Sequence, residues 1–264
     1  MNRNIFNKKA VLIAVLVLPS VLYFIFVYGA EDTFFQTLDY VGPSKVVERV
    51  DNGEVYQDTL PYQIPPFEFT TQDDTLLSSD EMRGKIYVAN FFFSTCPTIC
   101  PAMNFNVKQV QDRFIGYEDI YYLSFTVDPE HDSVEVLKAY EKEIGAVNGR
   151  WYFLTGEKSE IYKTAKDFFL NAMEDAAAEG GFLHSEQLVL IDWEGRIRSR
   201  RDDNGNLLAV YDGLSADEIG KLKDDIKVLI AEYEKYKSVS EYKASKKDWN
   251  GSIARFTKSE PKER

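Results

Sequence analysis

Apolar residues along this chain fall into three textures. From Ala10 to Tyr28 they run on with no charge, and only Pro19 and Ser20 intervene. From Phe67 to about Tyr236 they come in short bursts between polar turns. After Ser238 they thin out into Lys, Ser and Glu. The first texture predicts a helix of nineteen residues, which at about 1.5 Å per residue is close to the hydrocarbon thickness of a bilayer. The middle texture predicts a packed core, and the last a solvated tail.

Within the middle region the period switches between strand and helix. Phe67–Thr70 is a short strand, and Ser78–Met82 one helical turn. Ile86–Phe93 is almost continuously apolar, as a central strand covered on both faces must be. A helix follows over about Pro101–Phe114, with Pro101 in the first turn, where its missing N–H costs nothing. Ile120–Val127 is the next strand. Asp132 with Glu135 has capping-box spacing and opens a helix through Glu143. Trp151–Leu154 is a third core strand, followed by a helix over Ser159–Met173 capped by Ser159. Gln187–Asp192 pairs with Arg196–Ser199 across a Trp-Glu-Gly turn. Asn204-Gly205 marks a hairpin with Leu207–Tyr211 returning, and Ser215 with Glu218 caps a helix to about Tyr236. Upstream, Val46–Val50 and Glu54–Tyr56 flank an Asn-Gly turn. Strands alternating with helices predict an α/β domain with a mixed sheet and helices on both faces. A strand ending in a cysteine loop that feeds a helix is the thioredoxin-like layout. The expected organisation is 1–30 anchor, 31–60 tether with a small hairpin, 61–237 core domain and 238–264 polar tail.

Charge sets the orientation and narrows the partners. Arg3, Lys8 and Lys9 precede the apolar run while Glu31 and Asp32 follow, so the positive-inside rule places everything after Ala30 outside the cytoplasm. A cleaved signal peptide is the alternative. Its apolar core is usually shorter, and Val27-Tyr28-Gly29-Ala30 is a poor cleavage site. The net charge of −12 argues against nucleic acid as a partner.

Chemistry concentrates at Cys96 and Cys100, the only cysteines. Four apart, two sulfurs can share one face of a helix and bind one metal ion, or close on each other as a disulfide. A disulfide across so small a loop stabilises little by entropy, and the pair sits in a loop at a strand end, where functional residues cluster. His184 precedes the strand Gln187–Asp192 and falls at the same edge of such a sheet. Two thiolates and an imidazole make a soft three-coordinate site suited to Cu(I) and acceptable to Cu(II), whereas zinc usually takes a fourth ligand. His131, in a polar helix start, is the weaker candidate. Asp128, ending a neighbouring strand, is a candidate for the outer shell of the site. Cys96 in the loop is expected to be the more exposed sulfur, and Cys100 at the helix start to have the lower pKa.

The segments Phe93-Ser94-Thr95-Cys96-Pro97-Thr98-Ile99-Cys100-Pro101 with Met103, Thr126-Val127-Asp128-Pro129-Glu130-His131-Asp132, and His184-Ser185 before Leu188-Val189-Leu190-Ile191-Asp192 resemble the Sco (SenC/PrrC) family over roughly residues 60–236. The resemblance implies a membrane-tethered, thioredoxin-like copper protein on the extracytoplasmic (periplasmic) side. It further implies that Cys96, Cys100 and His184 ligate copper. Its partner would be the subunit bearing the binuclear copper site of cytochrome c oxidase, or another extracytoplasmic copper protein. One departure is Leu183, where the family commonly has Asp before the histidine. Either copper affinity is reduced, or Asp128, Ser185 or Glu186 substitutes in orienting the imidazole. Two functions follow: a copper metallochaperone, or a thiol–disulfide oxidoreductase in which Cys96 and Cys100 reduce the cysteines of a copper-site partner. A copper sensor or structural anchor is a third. Thr95 abutting Cys96 does not fit the peroxiredoxin pattern.

Overall fold

The computed structural model describes residues 15–24, 37–51, 53–174, 182–184 and 186–257, with backbone alone at 51, 173–174, 182–184 and 242–257. The chain divides into two units, residues 1–36 and 37–264. In the first, residues 15–24 form a helix (α1) whose apolar side chains are exposed. The rest of the expected span over 10–28 lies outside the described residues. No helix among the described residues is long and apolar enough to cross a membrane.

The second unit opens with β1 (Asp39–Tyr40) and a hairpin of β2 (Lys45–Asp51) and β3 (Glu54–Leu60), paired from Lys45↔Leu60 to Asp51↔Glu54. Gly53, at φ +89°, occupies the turn; Asn52 lies outside the described residues. Then come β4 (Glu68–Thr71), β5 (Leu76–Ser78) and a 3₁₀ turn (Ser79–Met82), in which the Glu81 carboxylate accepts from Ser78 N–H at 3.0 Å. The core runs β6 (Ile86–Phe92), α2 (Ile99–Arg113), β7 (Ile120–Thr126), α3 (Val134–Ile144), β8 (Trp151–Thr155) and α4 (Lys158–Asp167). It closes with β9 (Ala172–Glu174), β10 (Phe182–His184), β11 (Gln187–Ile191), β12 (Ile197–Ser199), β13 (Tyr211–Asp212) and α5 (Ala216–Thr257).

One mixed sheet carries the domain, in the order β1-β12-β11-β6-β7-β8-β4-β5, with β13 also paired to β11. β6, β7 and β8 are parallel, while β11 and β4 flank them antiparallel. Every residue of β6 is buried, as its apolar run requires. Successive side chains go to opposite faces of a strand. Phe91 stacks on Phe125 at 5.1 Å and meets Phe168 at the end of α4, whereas Phe92 stacks on Tyr140 of α3 at 5.2 Å. Helices therefore cover both faces. Between β6, β7 and β8 the Ser124 hydroxyl donates to Asn90 Oδ1 (2.6 Å) and accepts from Trp151 Nε1 (2.8 Å), so three buried polar groups satisfy one another.

Four expectations need correction. α3 is capped by Ser133, whose hydroxyl accepts from Val136 N, and Asp132 is left for another role. α4 starts at Lys158 with Glu157, not Ser159, in the cap position, and it ends at Asp167, because Phe168 and Leu170 turn into the core and Phe169 takes φ +59°. The end of the expected helix, from Ala172, is strand β9. Beyond β12 the turn at Asn204-Gly205 makes only an isolated Arg201↔Leu207 bridge. Ala209, at φ +65°, redirects the chain so that β13 pairs with β11. Finally, α5 continues past Tyr236 to Thr257.

Candidate metal centre

β6 delivers the cysteine loop at its C-terminal end, beside the end of β7. Val127 N–H donates to Phe92 O at 2.8 Å, carrying the parallel pairing one residue beyond the strands. The chain then turns, with Cys96 N–H donating to Phe93 O (3.2 Å), and enters α2 at Ile99. Cys100 is the second residue of that helix. Its N–H is one of the donors that a helix start leaves without a backbone partner, and it reaches Cys96 Sγ at 3.4 Å. Both cysteines are buried, Cys96 at 8 % exposure and Cys100 at 0 %. As expected, Cys96 is the more accessible.

The expected low pKa of Cys100 is overturned. The hydrogen bond its sulfur shares with Cys96 pushes it well above the ordinary thiol range. Burial pushes the same way, a backbone hydrogen bond at Phe93 offsets part of this, and the negative charge of Asp132 adds a smaller upward push. The helix N-terminus stabilises a sulfur only where its N–H groups point, and the Cys100 N–H points at Cys96.

The segment that carries the pair is uncharged. Residues 86–107 include no Asp, Glu, Lys or Arg, and the exposed members near the sulfurs are Thr95, Pro97, Thr98, Pro101, Ala102 and Phe105. Beneath lies Tyr140, whose hydroxyl accepts from Asn104 Nδ2 at 2.7 Å. Burial first, and the nearby Cys100 second, push its phenol up.

The other predicted residues are distributed as follows. His184 ends β10, directly opposite Ala172 of β9, and lies three residues before β11, the strand that pairs with β6. Its imidazole is not among the described side chains. Gly213 N–H donates to Glu186 O at 2.8 Å, and Gly213 itself is packed on Met103 of α2, so the segment leaving His184 is fastened beside the cysteine helix. Asp128 organises its own turn: its N–H donates to Thr126 Oγ1 (3.0 Å), and its carbonyl accepts from His131 and Asp132 N–H. Burial and the Asp132 charge raise the pKa of its carboxyl. His131 is half exposed, with Nδ1 3.1 Å from Asp132 Oδ1. Among the described residues no group of three His, Cys, Asp or Glu stands in a metal-binding arrangement.

Two residues escaped the sequence reading. Asp132 is fully buried and accepts from Ser94 N–H (3.0 Å), the Ser94 hydroxyl and the Thr126 hydroxyl. Tyr140 carried no sequence signal beyond helical apolar spacing.

The sequence model of the SCO1/SenC family matches residues 57–215, more than half of the chain. The SCO1 protein homolog of Bacillus subtilis is 30 % identical over 167 residues, 62 % of this chain and 86 % of that protein. The crystal structure of a SCO1/SenC family lipoprotein from Bacillus anthracis is 29 % identical with a TM-score of 0.55, covering 64 % of this chain and 95 % of that one. BsSco, described as a member of the Sco family of cytochrome c oxidase assembly proteins and as having a disulfide switch, is 27 % identical with a TM-score of 0.52, covering 66 % and 92 %. Yeast Sco1, solved with copper bound, is 23 % identical with a TM-score of 0.49, covering 63 % and 90 %. The mixed α/β, thioredoxin-like fold is thus the Sco fold, and the chain belongs to the SCO1/SenC family.

Proposed function

We propose that this chain is a membrane-anchored copper metallochaperone that holds copper through Cys96, Cys100 and His184. It would deliver the ion to the binuclear copper site of cytochrome c oxidase or to another extracytoplasmic copper protein. The observation carrying the reading is the pair of buried sulfurs at the start of α2, joined through the Cys100 N–H to Cys96 Sγ contact. Soft sulfur donors in a dry site suit Cu(I). Membership of a family with copper-bound and oxidase-assembly members supports the cargo and the destination. Anchoring rests on the apolar run 10–28 and its flanking charges, and the Bacillus anthracis family member is a lipoprotein.

Each residue then has a task. Cys96, the more accessible sulfur, receives the ion first and releases it last. Cys100 contributes a second sulfur on losing its thiol proton, since a coordinating thiol must be deprotonated. His184 completes three-coordination, leaving a position open for an incoming thiolate of the partner. The uncharged segment 86–107, which carries both sulfurs, lets another protein approach them despite the net charge of −12. The test is anaerobic Cu(I) titration of the reduced protein against a competing chelator. One copper per chain, lost in Cys96→Ser and in Cys100→Ser, is expected; failure to retain near-stoichiometric copper overturns the reading.

A second reading is favoured by the hydrogen bond between the two sulfurs and by the disulfide switch of BsSco: a thiol–disulfide oxidoreductase that reduces a partner's cysteines before metal arrives. Attack by one thiolate on the partner disulfide gives a mixed disulfide, which the second sulfur resolves, leaving Cys96–Cys100 oxidised and the partner dithiol reduced. Partner reduction that survives His184→Ala, with copper binding lost, favours this role.

A further inference from the structure

Burying a carboxylate costs several kcal/mol unless donors surround it. Asp132, at 0 % exposure, is surrounded, and its partners come from three places. Ser94 N–H (3.0 Å) and the Ser94 hydroxyl belong to the cysteine loop, whereas the Thr126 hydroxyl belongs to the last residue of β7. His131 Nδ1, 3.1 Å from Oδ1, lies on the carboxylate from the half-exposed side. Asp132 N–H is itself fixed to Asp128 O at 2.9 Å, and Ser133 does the helix capping, so the carboxylate is not engaged by α3. Ser94 sits two residues before Cys96, inside the turn closed by Cys96 N–H on Phe93 O.

We infer that Asp132 is a positioning residue for Cys96: by gripping both the backbone and the hydroxyl of Ser94, it locks the 93–96 turn to the end of β7 and holds the Cys96 sulfur over the Cys100 N–H. The inference rests on Cys96 being a working sulfur, but not on the metal, and its test uses copper-free protein.

Two thiols held in place form their disulfide with a high effective concentration, measured by equilibrating the reduced protein with glutathione disulfide, which takes up the two electrons and protons as two glutathiones. Releasing the turn in Asp132→Ala should lower that effective concentration about tenfold, in line with the sensitivity of intramolecular reactions to small misplacements. Asp132→Asn should stay within about twofold of the parent. Its amide oxygen still accepts from Ser94 N–H and the Thr126 hydroxyl, while its NH₂ can face Ser94 Oγ and His131 Nδ1. Ser94→Ala, which removes one hydroxyl from a partly exposed site and leaves the N–H leg, should lower the value about threefold, and it decides the question if Asp132→Ala fails to fold. A drop in Tm for Asp132→Ala with an unchanged effective concentration overturns the inference. So does a fall in Asp132→Asn equal to that in Asp132→Ala, or no change in Ser94→Ala. Copper titration of the same variants is scored separately, so loss of the copper reading leaves this result standing.

Discussion

Asp128 holds its carboxylate beside that of Asp132 in a half-buried turn, and the raised pKa of its carboxyl has a definite consequence. Between the unfolded and folded pKa values the native state binds more proton, so stability falls as pH rises through that window and then levels off. Asp128→Asn is therefore expected to raise Tm at pH 7 and to leave it unchanged near pH 3, where both states are protonated; thermal melts at the two pH values check this. Ser124→Ala acts in the opposite direction. It leaves Trp151 Nε1 and Asn90 Oδ1 without the bonds they now make, at a cost of about 2 kcal/mol read from urea unfolding. At this scale Cys96 and Cys100 could be found in the sequence by spacing alone. Asp132 could not be assigned that way. Asp and Ser are both good N-caps, and only the packing of the cysteine loop against β7 assigns Ser133 to the helix and Asp132 to Ser94.

The secondary elements show the same division between local and tertiary information. β6 and β7 follow from continuous apolar runs, and α2 from a Pro-marked start, so the element that presents the sulfurs could be predicted. The segment after Asp167 could not, since Phe169 takes a left-handed conformation that local propensity disfavours. That turn frees Ala172–Glu174 to pair with β10, which sets the backbone of His184 opposite Ala172. Gly213 is the second element-level device. A Cβ there would lie 2.6 Å from Glu186 O and 2.8 Å from Met103 Cγ, both on the support of the His184 segment. Gly213→Ala should cost about 1–3 kcal/mol through overpacking. It should also weaken copper binding, because the strain falls between α2 and the chain leaving His184. Denaturant unfolding and chelator competition on the same sample separate the two effects.

For the 37–264 unit as a whole, distant segments are joined by buried charge. Arg198 donates to Asp192 Oδ2 (3.2 Å), Glu232 Oε2 (2.7 Å) and Leu38 O (2.8 Å), linking the β11–β12 turn, α5 and the start of the unit. Arg198→Met leaves two carboxylates without their partner and should destabilise by about 3–5 kcal/mol in urea titration, with the cysteine chemistry of the surviving folded fraction unchanged. On α5 the last described side-chain anchors are the Tyr233 hydroxyl on Gly84 O, Tyr236 against Trp193 at 5.5 Å, and Lys237 on Asp119. The mixed fold was legible because alternating strand and helix signals are local. The linkages were not, because partners such as Leu38 and Arg198 lie far apart in the chain. The central claim, that two sulfurs and one imidazole hold copper, is tested most directly by X-ray absorption on the copper-loaded reduced protein. Two sulfur neighbours and one nitrogen, with the nitrogen lost in His184→Ala, are predicted. A spectrum unchanged by His184→Ala, or one lacking the sulfur pair, would contradict it.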